Sequence, residues 1–176
     1  SRHNCGSTLR IYFRYVYDNG ITERDSSVFI LNDNYNRHSK IPTTYDEDEI
    51  RRIVASVERS SATGKRDYLI LLLAAEYGWR TSDIVNFRFS QIDWDKNVIR
   101  FNQRKTDIPV EYPLLSSVGN AIIDYLKHGR PATDVEEIIV SNESSKKGRP
   151  LSFPTVHSIV SKYMRKAEIK NWKNKK

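Results

Sequence analysis

The sequence has little cysteine, glycine or proline and no long apolar run. Its one cysteine, Cys5, excludes an internal disulfide framework and is typical of a reducing compartment. With 7 glycines and 6 prolines it is no low-complexity chain, so we expect a globular protein. The longest apolar stretch, 68–75, is much shorter than the ~20 residues of a membrane span, and the polar start is unlike a signal peptide. We therefore expect a cytoplasmic protein without a membrane partner.

The net charge of +7 is concentrated in the last fifth of the chain. Residues 142–176 contain 10 Lys and Arg against 2 Asp and Glu, whereas residues 1–141 are close to neutral. A basic block attracts polyanions, and nucleic acid is the most common polyanion inside cells. The alternative is a solvated lysine-rich end without a partner.

The spacing of apolar residues indicates two domains. Apolar side chains at helical spacing predict a first helix over 7–18, ended by Gly20. No partner helix precedes it, so we expect residues 1–31 to be the last part of a helical domain, with its aromatic side chains in a core. Residues 32–44 are polar and lack periodicity, which is typical of a linker. The second domain is then expected to span 45–176.

In the second domain the pattern predicts mainly helices with a small sheet. Thr44 and Glu47 predict a capping box, and Gly78 is expected to end a buried helix. Thr81 or Ser82 is expected to cap the short helix that follows. The predicted strands are 98–101 and 108–112, joined by a turn at 102–107, with 137–140 as a possible third strand. Two further helices are predicted at 114–127 and 154–166, separated by a flexible basic loop at 142–150.

Two basic residues are candidates for phosphate chemistry. Arg80 lies at a helix junction, where a guanidinium can bind two oxygens of one phosphate, and Asp83 could orient it. Lys105 lies in the turn between two strands, where an ammonium can contact phosphate or protonate a leaving oxygen. Taken singly, each is as well explained as a surface charge.

Together, these segments resemble the catalytic domain of the tyrosine recombinases, the phage integrase family. Gly78-Trp-Arg-Thr-Ser-Asp-Ile84 resembles the family motif around its first catalytic arginine. Phe89 and Gln91 differ from the tryptophan and aspartate that usually follow. Lys105-Thr106 and Val110-Glu-Tyr-Pro-Leu114 resemble the family's lysine hairpin and strand end. Each motif is weak alone, but their order and spacing make the match strong.

The resemblance implies a mainly α fold with a small three-stranded antiparallel β-sheet (α+β), like that of DNA breaking–rejoining enzymes. It implies that residues 1–31 are the remnant of a core-binding domain that clamps DNA. Arg80 and Lys105 would be catalytic, with Asp83 behind Arg80. The expected DNA-binding residues are Arg104, Thr106, Lys146, Lys147 and Arg149.

The family's reaction cuts and rejoins double-stranded DNA through a 3′-phosphotyrosyl intermediate. The resemblance therefore implies a bacterial or phage protein that needs no metal or other cofactor and takes no small-molecule substrate. Its expected partners are double-stranded DNA and further recombinase protomers, four of which would assemble on the DNA.

One family motif is missing from this sequence. No histidine begins a His-x-x-Arg: the residues three positions after the four histidines are Gly6, Ile41, Pro131 and Val160. Tyr163 lies at apolar helical spacing and is expected in the core rather than as the nucleophile. We therefore expect this polypeptide to bind DNA without cleaving it.

Two other hypotheses remain open. Ala74, Gly78, Ile84 and Phe87 also fit the spacing of a helix-turn-helix regulator, although the recognition helix would be apolar and acidic, which suits base edges poorly. The other hypothesis is an interaction domain with a basic tail, in which neither Arg80 nor Lys105 would matter for DNA binding.

Overall fold

The computed structural model describes residues 2–30, 44–102, 108–170 and 172, with side chains described from Cys5 onward. The chain divides into two compact units, Ser1–Pro42 and Thr43–Lys176. The identity of the first unit as a core-binding remnant stays a prediction. In the described part of the chain, no helix has the length and apolar character that crossing a membrane requires.

In the described residues of the first unit, helix α1, Arg2–Asp18, is followed by a 3-10 helix, Ser26–Phe29. Gly20 follows α1 with φ 68°, as expected of a glycine just past a helix end. Within the described residues of this unit, however, Val16 is the one buried hydrophobic side chain, while Tyr12 and Tyr17 are 57% and 41% exposed. The prediction that the aromatic residues of this helix lie in a core is therefore wrong for the described part of the chain.

The second unit is built mainly of helices around one apolar core. The central helix carries Leu69, Ile70 and Leu73, which are completely buried because its apolar residues are not confined to one face. The helices are α2 Glu47–Ala55, α3 Ala62–Tyr77, α4 Thr81–Val85, α5 Ser116–His128 and α6 Phe153–Lys166.

Two helix starts differ from those predicted. The capping box of α2 is formed by Asp46 and Glu49, not by Thr44 and Glu47. Helix α4 begins at Thr81, so its N-cap is Arg80, which makes no side-chain capping bond. The prediction of a Thr81 or Ser82 cap is wrong because both residues are already inside the helix.

The sheet has three antiparallel strands in the order β1–β2–β3. They are β1 Ile92–Asp93, β2 Val98–Asn102 and β3 Pro109–Pro113. Ile99, in the middle strand, pairs with Ile92 on one side and Tyr112 on the other. The three-stranded sheet is confirmed, but its third strand is 92–93.

The segment 137–140, predicted as a strand, makes only isolated bridges, from Arg88 to Glu137 and from Val140 to Pro150. Its apolar side chains are completely buried, and Ile138 N–H donates to the carbonyl of Phe87. The apolar residues of this segment are therefore buried without forming a strand of the β-sheet.

The basic loop is held by backbone hydrogen bonds. Ser141 N–H donates to Arg149 O and Gly148 N–H donates to Ser141 O, each at 2.8 Å. Gly148 adopts φ 78°, where a side chain would be strained, and its carbonyl accepts from Thr133 Oγ1 at 3.0 Å. The loop is therefore closed on itself by these bonds, and its predicted flexibility stays a prediction.

Candidate active site

The backbone at Arg80 is fixed between two helices. Gly78 ends α3 in the left-handed conformation, φ 63°, and its N–H donates to Ala74 O. The carbonyl of Arg80 accepts from Asp83 N–H at 2.9 Å and Ile84 N–H at 3.1 Å. The Arg80 side chain is exposed. A guanidinium is thus presented at the surface from a rigid point of attachment.

Trp79 anchors this junction in an aromatic cluster. Its ring is 6% exposed and lies edge-on to Phe87 and Phe101, with centroids 4.9 and 4.8 Å away. Tyr77 stacks on it at 5.5 Å and Tyr112 packs at 5.8 Å. We use "aromatic cluster" for these five side chains. Because Phe101 is in β2 and Tyr112 in β3, the residue next to Arg80 is packed directly against the sheet.

Tyr77 adds a hydrogen-bonded link to the same sheet. Its hydroxyl donates to Pro113 O at 2.8 Å and accepts from Leu115 N–H at 3.1 Å. Burial raises the pKa of Tyr77. Neither Tyr77 nor Trp79 was predicted as a site residue, and their one signal in the sequence is their position close to Arg80.

A surface cleft of about 370 Å³ lies beside α4 and the end of β2. Asp83, from the helix that follows Arg80, and Asn102, the last residue of β2, both line it. Asp83 is buried, and its carboxylate accepts from Ser82 Oγ at 3.4 Å. Its predicted role in orienting Arg80 stays a prediction. The full lining is Ser82, Asp83, Asn86, Arg88, Gln91, Phe101 and Asn102.

Lys105, Arg104 and Thr106 lie outside the described residues, in the segment 103–107 between β2 and β3. Asn102 and Pro109 pair across the two strands on either side of this segment. The segment that carries Lys105 therefore connects the strands that pack on Trp79. The other predicted DNA-binding residues, Lys146, Lys147 and Arg149, are exposed on the closed basic loop.

Tyr163 is 3% exposed, and its hydroxyl donates to Asp67 Oδ2 at 3.0 Å. Burial raises the pKa of Tyr163. A hydroxyl that is buried and bonded to a carboxylate cannot reach a DNA phosphate, so the prediction that Tyr163 is a core residue is confirmed. Among the described residues, no three His, Cys, Asp or Glu side chains are grouped so that they could hold a metal ion.

The structure does not favour a helix-turn-helix reading of α3 and α4. Helix α4 has only five residues, and Asp83, Ile84 and Val85 are all buried. A recognition helix must expose side chains to base edges in the major groove, which this one does not.

Residues 43–175 match the model of the phage integrase family. Because the match covers well over half of the sequence, the chain belongs to the phage integrase family. The resemblance drawn from the motifs around Arg80 and Lys105 is thereby confirmed.

Two curated relatives illustrate the match. A putative integrase/recombinase of Sinorhizobium fredii, y4gC, is 35% identical over 131 residues, which cover 74% of this chain and 66% of that protein. The tyrosine recombinase XerA of Pyrococcus furiosus is 28% identical over 170 residues, 92% of this chain and 52% of that protein. The chain thus spans only about half to two thirds of the length of these relatives.

A solved structure confirms the predicted fold class. A lambda integrase dimer bound to a COC′ core site has a TM-score of 0.68 and 20% identity, covering 96% of this chain and 58% of that one. At this identity the likeness shows the fold alone: a mainly α fold with a three-stranded antiparallel sheet.

Proposed function

We propose that this chain is part of a site-specific recombinase that cuts and rejoins double-stranded DNA through a 3′-phosphotyrosyl intermediate. The observation that carries the proposal is the cleft shared by α4 and the end of β2. Ser82 and Asp83 line it from α4, the helix that begins directly after Arg80, and Asn102 lines it from the end of β2, directly before the segment with Lys105; Arg80 itself is not among the lining residues. Membership of the phage integrase family supports the same chemistry.

In the proposed reaction a tyrosine oxygen attacks the DNA phosphorus, and the bond to the 5′ oxygen breaks. Arg80 binds the non-bridging oxygens, where a fixed guanidinium stabilises the negative charge of the transition state. Lys105 donates its proton to the departing 5′ oxygen. Asp83 orients Arg80, and the basic loop contacts the DNA backbone through Lys146, Lys147 and Arg149, as Arg104 and Thr106 do beside Lys105. No cofactor takes part.

A polypeptide of residues 1–176 alone should bind DNA without cutting it. The sequence contains no His-x-x-Arg motif, and the hydroxyl of Tyr163 is hydrogen-bonded to the buried carboxylate of Asp67. We propose that a complete recombinase supplies these groups, acts on DNA in the cytoplasm and assembles with further protomers, since the lambda integrase neighbour was solved as a dimer on DNA.

The test measures the affinity for a labelled duplex of about 30 base pairs at several salt concentrations. Arg80→Ala and Lys105→Ala should each weaken binding and lower the slope of log K against log salt by about 1, since each removes one phosphate contact. Lys96→Ala is the matched control, because Lys96 lies in the turn between β1 and β2, at the opposite end of β2 from Lys105.

Two results would contradict the proposal. If Arg80→Ala and Lys105→Ala bind DNA as Lys96→Ala does, these residues do not contact phosphate. If the complete recombinase, bound to its own site on a nicked substrate, yields no covalent protein–DNA adduct, the phosphotyrosyl mechanism is wrong.

A further inference from the structure

Among the described residues, the cleft beside α4 is lined by more amide side chains than charged ones. Asn86, Gln91 and Asn102 all contribute to it, against Arg88 and the buried Asp83. An amide presents a donor and an acceptor side by side, which is the pattern that the edges of nucleobases carry. The oxygens of a DNA phosphate, in contrast, only accept hydrogen bonds. The lining therefore suits the edge of a base better than it suits the DNA backbone.

The guanidinium of Arg88 is already paired with two carboxylates. Its Nη1 lies 3.2 Å from Glu136 Oε2, and its Nη2 lies 3.0 Å from Glu137 Oε1. One positive charge is thus set against two negative charges, so this group does not attract a phosphate. The charged residues of the cleft therefore do not make it a second phosphate site.

Gln91 has an amide nitrogen that the local structure does not use. Its Oε1 accepts from Arg88 N–H at 2.8 Å and so caps the 3-10 turn Phe89–Gln91. Because a backbone N–H can only donate, this bond fixes which end of the amide is the oxygen. Nε2 donates to no other described residue, although the side chain is half-buried in the wall of the cleft. Capping needs only an oxygen, and the family motif usually has an aspartate here, so the NH₂ group of this chain needs another explanation.

The cleft lies close to the proposed phosphate contact of Arg80. Asn86, the C-cap of α4, follows Arg80 by six residues, a length of about 9 Å at the rise of an α-helix. Successive base pairs are about 3.4 Å apart, so this length corresponds to roughly two to three base pairs. A duplex held by the exposed Arg80 side chain can therefore bring the edges of nearby bases to the cleft.

We propose that Gln91 is a specificity-determining residue, whose Nε2 donates to an acceptor on the edge of a base near the phosphate that Arg80 binds. The inference rests on the proposed function, because it needs a duplex held at Arg80, and it assigns part of the choice of site to this cleft. Base edges present acceptors in both grooves, and some pairs present an amino group there instead. A pair that turns an amino group toward Nε2 leaves donors unpaired and should be disfavoured about three- to tenfold, the effect of one hydrogen bond.

The test selects bound sequences from a pool of duplexes with a randomised centre and then measures the affinity ratio between base pairs at each preferred position. Gln91→Glu keeps the oxygen that caps the turn and removes the NH₂ donor, whereas Gln91→Ala removes both. In both variants the ratio at one or two adjacent positions should fall from about three- to tenfold to less than about twofold, while the other positions keep theirs. Asn120→Ala is the matched control, since Asn120 is an exposed amide on α5 and does not line the cleft.

The ratio between base pairs separates base reading from charge and folding effects. The added negative charge of Gln91→Glu weakens binding to every sequence alike and leaves the ratio unchanged. Three results would overturn the inference. The first is that both Gln91 variants keep the preferences of Asn120→Ala, and the second is that the unchanged chain prefers no sequence. The third is that Gln91→Ala loses the preference while Gln91→Glu keeps it, because the cap of the turn would then be the cause.

The proposed function and the role of Gln91 fail in different ways. If Arg80→Ala does not weaken DNA binding, the proposed phosphate contact fails and the inference fails with it. If Arg80→Ala weakens binding to all sequences but the Gln91 variants keep every base preference, the proposed function stands and only the role of Gln91 is refuted.

Discussion

The buried carboxylate of Asp67 offers the sharpest test of the second unit's core. Asp67 is 1% exposed and joins α3 to α6. Its Oδ1 accepts from Arg66 at 3.1 Å (Nε) and 2.7 Å (Nη2). Its Oδ2 accepts from the Tyr163 hydroxyl at 3.0 Å and from Lys162 Nζ at 3.5 Å. Removing any one of these groups should therefore change the free energy of unfolding.

Tyr163→Phe should lower the free energy of unfolding by about 2 kcal/mol. A hydrogen bond to a charged group contributes about 1.5–3 kcal/mol, and the remaining bond from Lys162 keeps the loss below the top of that range. Asp67→Asn should cost more, about 3–5 kcal/mol, because it leaves the buried Arg66 guanidinium without its counter-charge. In the double variant, Tyr163→Phe should cost only about 1 kcal/mol, since the bond it removes is then neutral.

The assay is urea denaturation followed by tryptophan fluorescence. Tyr68→Phe is the control, since Tyr68 is in the same helix as Asp67, and should stay within about 0.5 kcal/mol of the unchanged chain. The hydrogen-bond network around Asp67 would be refuted by either of two results. One is a loss of less than about 0.5 kcal/mol for Tyr163→Phe, and the other is strictly additive losses in the double variant.

The same tyrosine predicts how stability depends on alkaline pH. Burial raises the pKa of Tyr163 above its ordinary 10.0 in the folded chain. As pH rises through about 10, the unfolded chain loses this proton first, so the stabilisation present below that pH is progressively lost. Tyr163→Phe should therefore show a shallower loss of stability above pH ~10, and an unchanged slope would contradict the raised pKa.

Two further predictions concern α3 and its neighbours. Gly64→Ala should cost more than about 2 kcal/mol because its Cβ would overlap the Glu58 carbonyl oxygen, whereas Gly119→Ala, with its nearest contact at 3.7 Å, should be neutral or stabilising in urea denaturation. Lys65 holds the pKa of Asp124 below its usual 3.8, so Asp124→Asn should cost about 1 kcal/mol at pH 7, and that difference should shrink as pH falls below about 4. An equal difference at pH 7 and pH 3 would contradict this assignment.

The helices were predictable because their signals are local. The apolar run of α3 and the glycine that ends it specify both the burial of the helix and its last turn. The start of α2 was not predictable to the residue, since Thr44 and Asp46 each have an acidic residue three positions later. Only the structure shows that Asp46 is the residue with the extended backbone of an N-cap.

The edges of the sheet were harder to predict. Strand β1 has only two residues, too few to show alternation, while 137–140 has the apolar run of a buried strand and no ladder. Burial and strand pairing favour the same residue types, so sequence alone does not separate them.

Arg80 could be predicted as a site residue from the sequence, but Tyr77 and Trp79, which hold the backbone beside it, could not. The motif around Arg80 is continuous in sequence. In contrast, the Tyr77 hydroxyl donates a hydrogen bond to Pro113 O, 36 residues away, and the Trp79 ring packs against residues of two strands. Such long-range contacts leave no periodic pattern, and an aromatic residue beside Arg80 fits a plain core position equally well.

Three consecutive residues at the junction of α3 and α4 fix the backbone position of Arg80, each in a different way. Gly78 lets α3 end sharply, Trp79 fixes the next residue in the aromatic cluster, and the Arg80 carbonyl starts α4. Because the backbone of Arg80 is held on both sides, binding a phosphate through its exposed side chain does not require a loop to become ordered. A change at Trp79 should thus weaken phosphate binding without touching the phosphate, because it would restore backbone freedom to Arg80.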